Sequence, residues 1–147
     1  MKLKFLATLA LLSGLITFSY AQKGADSEWS LYKEHPKLRI ESKLVSCEAS
    51  DIKSDVYLLK LTNKSTSPIK VTYFREFYYE GEGCATCPND EYKTTLTIPA
   101  GATLVGTCDA SNPENQHLTM FKEYTSHPTY NGGRKYEKFE IRLISVE

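Results

Sequence analysis

From residue 38 onward, apolar and polar side chains alternate with a period of two. Leu38, Ile40, Ser42 and Leu44 lie on one side of a segment whose other side carries Arg39, Glu41 and Lys43. Tyr57, Leu59 and Leu61 repeat the pattern. Ile69, Val71, Tyr73, Phe77 and Tyr79 share a face opposite Lys70, Thr72, Glu76 and Glu80. Leu96 and Ile98 are in phase within a Thr-rich run, and Phe139, Ile141 and Leu143 alternate with Lys138, Glu140 and Arg142. Successive side chains of a strand point to opposite faces, so this period predicts half-buried strands, and the β-branched and aromatic content agrees. Expected strands cover 38–47, 55–62, 69–80, 92–98, 102–108, 118–124 and 136–146. Beyond the first 21 residues, no window keeps a helical stripe for three turns.

Turn chemistry punctuates the same segments. Asn63-Lys64-Ser65-Thr66-Ser67-Pro68, Pro99-Ala100-Gly101 and Asn131-Gly132-Gly133 each stand between predicted strands. Seven short strands at this spacing predict an all-β fold, an antiparallel β-sandwich of about seven strands, in which each strand wets one face and buries the other. The polar stretch 22–37, which contains Trp29, has no clear period and reads as an extended N-terminal arm ahead of a single domain at 38–147.

The N-terminus has a different character. Lys2 and Lys4 precede an uncharged apolar run over 5–18, and Ser19-Tyr20-Ala21 supplies small residues at a cleavage site. That order is a secretory signal peptide, and a 14-residue run is short of the roughly 20 residues that a spanning helix needs. Cleavage after Ala21 is expected, with the mature chain secreted or periplasmic and free of the membrane. Removing Lys2 and Lys4 from 18 basic residues leaves 16 against 18 acidic ones. Such a balance offers no clustered basic surface, so nucleic acid is not an expected partner.

All four cysteines, Cys47, Cys84, Cys87 and Cys108, lie in the mature chain. An even count in an exported domain reads first as two structural disulfides, and four cysteines permit three connectivities. Counting strand directions carries all four thiols to one end of the sandwich. Cys84-x-x-Cys87 also has the spacing of a thioredoxin-like redox pair or of a zinc site, with Cys47 and Cys108 as the remaining zinc ligands. No strand-then-helix context supports the first, and an oxidising compartment opposes the second. Pro88 follows the second cysteine where haem attachment needs histidine.

No other residues announce a reaction. His35 and His127 each precede proline, and neither they nor His117 sit in a metalloprotease or nucleophile motif. Gly81-Glu82-Gly83 is a turn, Asn89-Asp90-Glu91 is too short for a calcium loop, and the sequon Asn63-Lys64-Ser65 reads as turn chemistry. Catalytic residues, resident metal and cofactors are therefore not expected. The densest apolar feature is Tyr73, Phe74, Phe77, Tyr78 and Tyr79. Its second face presents Phe74 and Tyr78, which are candidate binding residues unless another strand or the Trp29 arm covers them.

The succession of strand, Asn-x-Ser turn, strand and a Thr-rich strand ending in Ile98-Pro99-Ala100-Gly101 resembles the immunoglobulin-like accessory domains of secreted bacterial proteins. The Tyr20-Ala21-Gln22 junction is similar to those of Bacteroidota-type exported proteins. The antibody-type Cys…Trp…Cys core is missing, because Trp29 precedes every cysteine. The resemblance implies an immunoglobulin-like sandwich with an interaction role. The expected function is a non-catalytic binding module for a protein or a polysaccharide, with recognition in the loops over 81–91 and 109–117. The alternative is a thiol-redox or zinc-binding protein centred on Cys84 and Cys87.

Overall fold

The structure is a computed structural model that describes residues 28–87, 89–109, 111–129 and 133–147. The signal-peptide reading of 1–21 and the first part of the arm fall outside the described residues, as do Pro88 and Asn131-Gly132.

Among the described residues, nine antiparallel strands form two sheets. In the first, β1 (Ser30–Glu34) pairs with β2 (Leu38–Ala49) and β2 with β3 (Ile52–Asn63). The far edge of β3 is shared by β7 (Thr103–Val105) and β8 (Thr119–Ser126). In the second sheet, β4 (Ile69–Tyr79) is central. It takes β9 (Tyr136–Val146) on one edge, and β5 (Gly83–Cys84) and β6 (Lys93–Ile98) on the other. A 3-10 turn at Asp90–Tyr92 and a single helical turn, α1 (Asn115–Leu118), complete the elements. All seven expected strands are present, joined by β5 and by an edge strand inside the expected arm.

The in-phase residues build the shared core. Leu38, Ile40, Leu59, Leu61 and Met120 of the first sheet pack with Ile69, Val71, Tyr73, Ile98, Phe139 and Ile141 of the second, all buried. Alternation then puts Val45, Val56 and Leu58 on the outward face of the first sheet. There they form a separate small cluster beneath Trp29. The arm thus has two tasks. Trp29 covers that cluster, while Tyr32 stacks on Phe139 with ring centroids 5.1 Å apart. The Tyr32 hydroxyl accepts from the Ile141 backbone N–H at 2.9 Å, and Lys33 Nζ donates to the Ile141 carbonyl at 2.7 Å. These bonds occupy backbone groups on the open edge of β9, an edge that would otherwise recruit another strand.

Two turns set the register. Ser50-Asp51 joins β2 to β3 in a two-residue loop, with Ser50 in the left-handed region at φ 54°, so pairing continues to Ala49 opposite Ile52. The hairpin is accordingly longer than the alternation alone marks. At the other end Asn63 is 1% exposed. Its Oδ1 accepts from the backbone N–H and hydroxyl of Ser65, and its Nδ2 donates to the carbonyls of Ser67, Ile98 and Pro99. The sequon is a turn whose amide ties the end of β3 to the end of β6.

Candidate functional site

The cysteines pair as Cys47–Cys108 and Cys84–Cys87, with Cα–Cα distances of 5.5 and 5.6 Å. Both bridges lie away from the Asn63–Pro99 junction, at the opposite ends of β3 and β4, and each is confined to one sheet. Their mechanical roles differ. Cys47–Cys108 spans 61 positions and pins the segment after β7 to β2, whereas Cys84–Cys87 closes a three-residue step.

The pinned segment creates a cleft of about 350 Å³ on the outward face of the first sheet. Ile52, Ser54 and Val56 of β3 and Thr119 and Phe121 of β8 lie on the strand side. The other wall holds the Cys47–Cys108 bridge, Thr107, Asp109, Asn115 and Gln116. Phe121 sits directly opposite Val56 in the β3–β8 register, which puts the two side chains on one face. The lining is chiefly apolar with a polar rim, the usual constitution of a ligand site.

Short-range bonds hold the roof of this cleft. Asn115 is buried; its Oδ1 accepts from Thr107 N–H at 3.1 Å and its Nδ2 donates to Thr107 Oγ1 at 2.7 Å. Asp109 accepts from the Ser111 backbone and hydroxyl, which holds its carboxyl below the usual value. Gly106 lets the segment approach: a Cβ there would lie 2.4 Å from the Leu118 carbonyl oxygen. The Leu59 carbonyl accepts its N–H, seating the chain beside β3. Sequence reasoning named the 109–117 loop but missed Val56 and Phe121, because an outward apolar position in a strand looks like any other until its cover is known.

From Phe121, a row of rings continues along β8. Phe121 and Tyr124 have centroids 4.8 Å apart, and Tyr124 and His127 4.7 Å. Phe121 and Tyr124 are 38% and 40% exposed.

The expected binding pair, Phe74 and Tyr78, does share the outward face of the second sheet, but as a covered surface. Phe74 is only 9% exposed, with the Arg142 guanidinium 4.6 Å above its ring, and Lys138 Nζ lies 4.5 Å over Tyr78. The cover comes from β9 and not from the Trp29 arm, because the β4–β9 register sets Phe74 beside Arg142 and Tyr78 beside Lys138. Between the two aromatics stands Glu76, 5% exposed, whose Oε1 accepts from Arg142 Nε at 2.5 Å.

Glu76 also adjoins the second bridge: one carboxylate oxygen and the sulfurs of Cys84 and Cys87 all lie within 4.8 Å of one another. The intervening Thr86 is buried. Its hydroxyl accepts from Phe77 N–H at 2.9 Å and donates to the Arg75 carbonyl at 3.1 Å, while Ala85 N–H donates to the Phe77 carbonyl. The remaining sequence candidates serve local structure. Asn89 Oδ1 accepts from Glu91 N–H to start the 3-10 turn, and His35 and His127 accept from backbone two residues on.

Among the described residues, no helix is long and apolar enough to cross a membrane. Comparison with protein-family models, curated proteins and solved structures finds no match.

Proposed function

We propose that this chain is a secreted or periplasmic, non-catalytic binding module that seats part of a protein partner in the cleft beside the Cys47–Cys108 bridge. The observation that carries the reading is the cleft itself: an apolar face of Ile52, Val56 and Phe121 under a roof fixed by a long-range disulfide and a buried asparagine. A roof that is ordered before binding loses little conformational entropy on association, which favours recognition. The volume suits one or two apolar anchor side chains, the usual centre of a protein interface. Two disulfides fit an oxidising compartment, as the signal-peptide reading of 1–21 requires. The immunoglobulin-like assignment rests on two antiparallel sheets around one core. The pairing departs from the constant-type order: β8 lies beside β3 and not between β4 and β9, and β6 pairs with β4 instead of joining the first sheet beside β7.

A polysaccharide is the second reading, favoured by the Phe121–Tyr124–His127 row, whose exposed Phe121 and Tyr124 offer rings on which sugars can stack. One experiment separates them: the bridged mature chain is screened against peptides bearing aromatic or aliphatic anchors and against a glycan array. Peptide binding weakened about tenfold by Phe121→Ala and unchanged by Tyr78→Ala is the expected result. Glycan binding lost with Tyr124→Ala would favour the second reading, and peptide binding indifferent to Phe121 would refute the first.

A further inference from the structure

We propose that Cys84, Cys87 and Glu76 form a zinc site that opens when their disulfide is reduced. This does not depend on the cleft, which lies on the other sheet. Three donors of suitable chemistry already meet here: two sulfurs at Cys-x-x-Cys spacing and one carboxylate oxygen, mutually within 4.8 Å. Sequence reasoning sought the further ligands in Cys47 and Cys108. Those are bonded to each other, and the fold supplies Glu76 from the neighbouring strand instead.

Three features go beyond what a structural crosslink needs. First, the loop is held without the sulfur–sulfur bond, by both hydrogen bonds of Thr86, by Ala85 N–H and by the pairing of β5 with Tyr78 and Tyr79. Opening the bridge therefore leaves both thiols beside Glu76. Second, a disulfide has no use for a buried carboxylate against it, and Glu76 is 5% exposed at that position. Third, charge balances. Arg142 already pairs with one Glu76 oxygen, while the other receives, among the described residues, a 3.4 Å contact from the Tyr78 hydroxyl. Two thiolates neutralise Zn²⁺, so the metal enters without leaving net charge under the sheet. Arg142 then orients the ligating carboxylate through its second oxygen, the arrangement by which outer partners tune metal ligands. Thiolate with carboxylate suits zinc and disfavours calcium or magnesium, which take oxygen donors.

The chemistry has two steps. A dithiol reductant acting in the compartment to which the chain is exported attacks one sulfur of the Cys84–Cys87 bond through a mixed disulfide. Its two thiols become a disulfide, and the two electrons and two protons appear as the thiols of Cys84 and Cys87. Zn²⁺ then displaces those two protons, forming two Zn–S bonds and one Zn–O bond to Glu76, with water completing the tetrahedron.

The test uses the purified chain with both bridges formed, and the same chain reduced anaerobically with a phosphine that is then removed. Each is titrated with zinc against a chromophoric chelator and with cobalt for thiolate-to-metal charge-transfer absorption. The reduced chain is expected to take one equivalent and the bridged chain none. Cys108→Ala should retain uptake, Cys84→Ser should weaken it more than about 100-fold, and Glu76→Gln about tenfold. No uptake after reduction, or uptake indifferent to Cys84→Ser or Glu76→Gln, overturns the proposal. Should Glu76→Gln fail to fold, X-ray absorption of the zinc-loaded natural chain decides. Two sulfurs and a carboxylate oxygen in the first shell support the site, and any other sulfur count refutes it.

Discussion

The outward faces of the two sheets begin from the same difficulty and meet it differently. Each strand pair carries more apolar side chains than one buried face absorbs: Val45, Val56 and Leu58 on the first sheet, Phe74 and Tyr78 on the second. On the first sheet the cover is chain, namely Trp29 of the arm over one part and the segment pinned by Cys108 over another, and a cleft remains between that segment and the strands beneath it. On the second the cover is side chains of the adjacent strand, Arg142 and Lys138 lying across the rings. Covering by chain leaves a volume that another molecule can fill. Covering by long cations leaves a closed, charged surface, because their stems and heads follow the rings.

The sharpest way to break this comparison is to remove each bridge in turn. A loop of some 60 residues is closed by Cys47–Cys108 and a loop of a few by Cys84–Cys87. In the chain-entropy model the paired alanine replacements should cost about 4 and about 2 kcal/mol respectively. Urea denaturation of Cys47→Ala/Cys108→Ala and of Cys84→Ala/Cys87→Ala measures both. Equal losses would mean that the long bridge does not hold the roof of the cleft in the way its separation implies.

On the second sheet, Arg142→Ala removes the partner of a buried carboxylate and uncovers Phe74 together. Breaking a fully buried pair costs about 3–5 kcal/mol, but the Arg142 side chain is 48% exposed, so solvent screening reduces the expectation to about 2 kcal/mol. Arg142→Lys keeps the charge without the planar guanidinium and should recover only part of it. Unfolding midpoints of the two variants settle the comparison, and full recovery by lysine would reduce the cover to plain charge.

These contrasts also explain what was legible beforehand. Period-two alternation located the strands at 38–47, 55–62, 69–80, 92–98 and 136–146, since a strand that buries one face must write that face into its sequence, while those at 102–108 and 118–124 showed only as short apolar-bearing segments. The β2–β3 hairpin extended beyond its expected ends because Ser50 adopts a left-handed conformation usually announced by glycine or asparagine. Edge strand β1 was hidden because Leu31 and Lys33 flank a register shift, which spoils the alternation of a short segment. The fate of Phe74 and Tyr78 depended on which residues of β9 stand beside them, and pairing register between strands some 65 positions apart is not written locally. Glu76 looked like an ordinary wet-face acid for the same reason.

The smallest effect concerns the joint between the two regions. Helical turn α1 roofs the cleft with Asn115 and Gln116, and reaches the second sheet through the His117 carbonyl, which accepts the Tyr73 hydroxyl at 2.7 Å. Arg75 donates to the Gln116 carbonyl alongside. The His117 ring is therefore partly enclosed. Burial first, and then the Arg75 charge, lowers its pKa below the ordinary 6.5, with Glu114 acting weakly in the opposite sense. In the window beneath 6.5 the unfolded chain binds the proton that the folded ring refuses. Stability from this group is thus complete above that value and falls as the pH drops toward the folded pKa. Urea midpoints measured on both sides of 6.5 should decline on acidification, and His117→Gln should flatten that part of the decline while sparing the rest. The same slope in both proteins would show that the ring titrates freely, and that α1 is fastened by its backbone carbonyls alone.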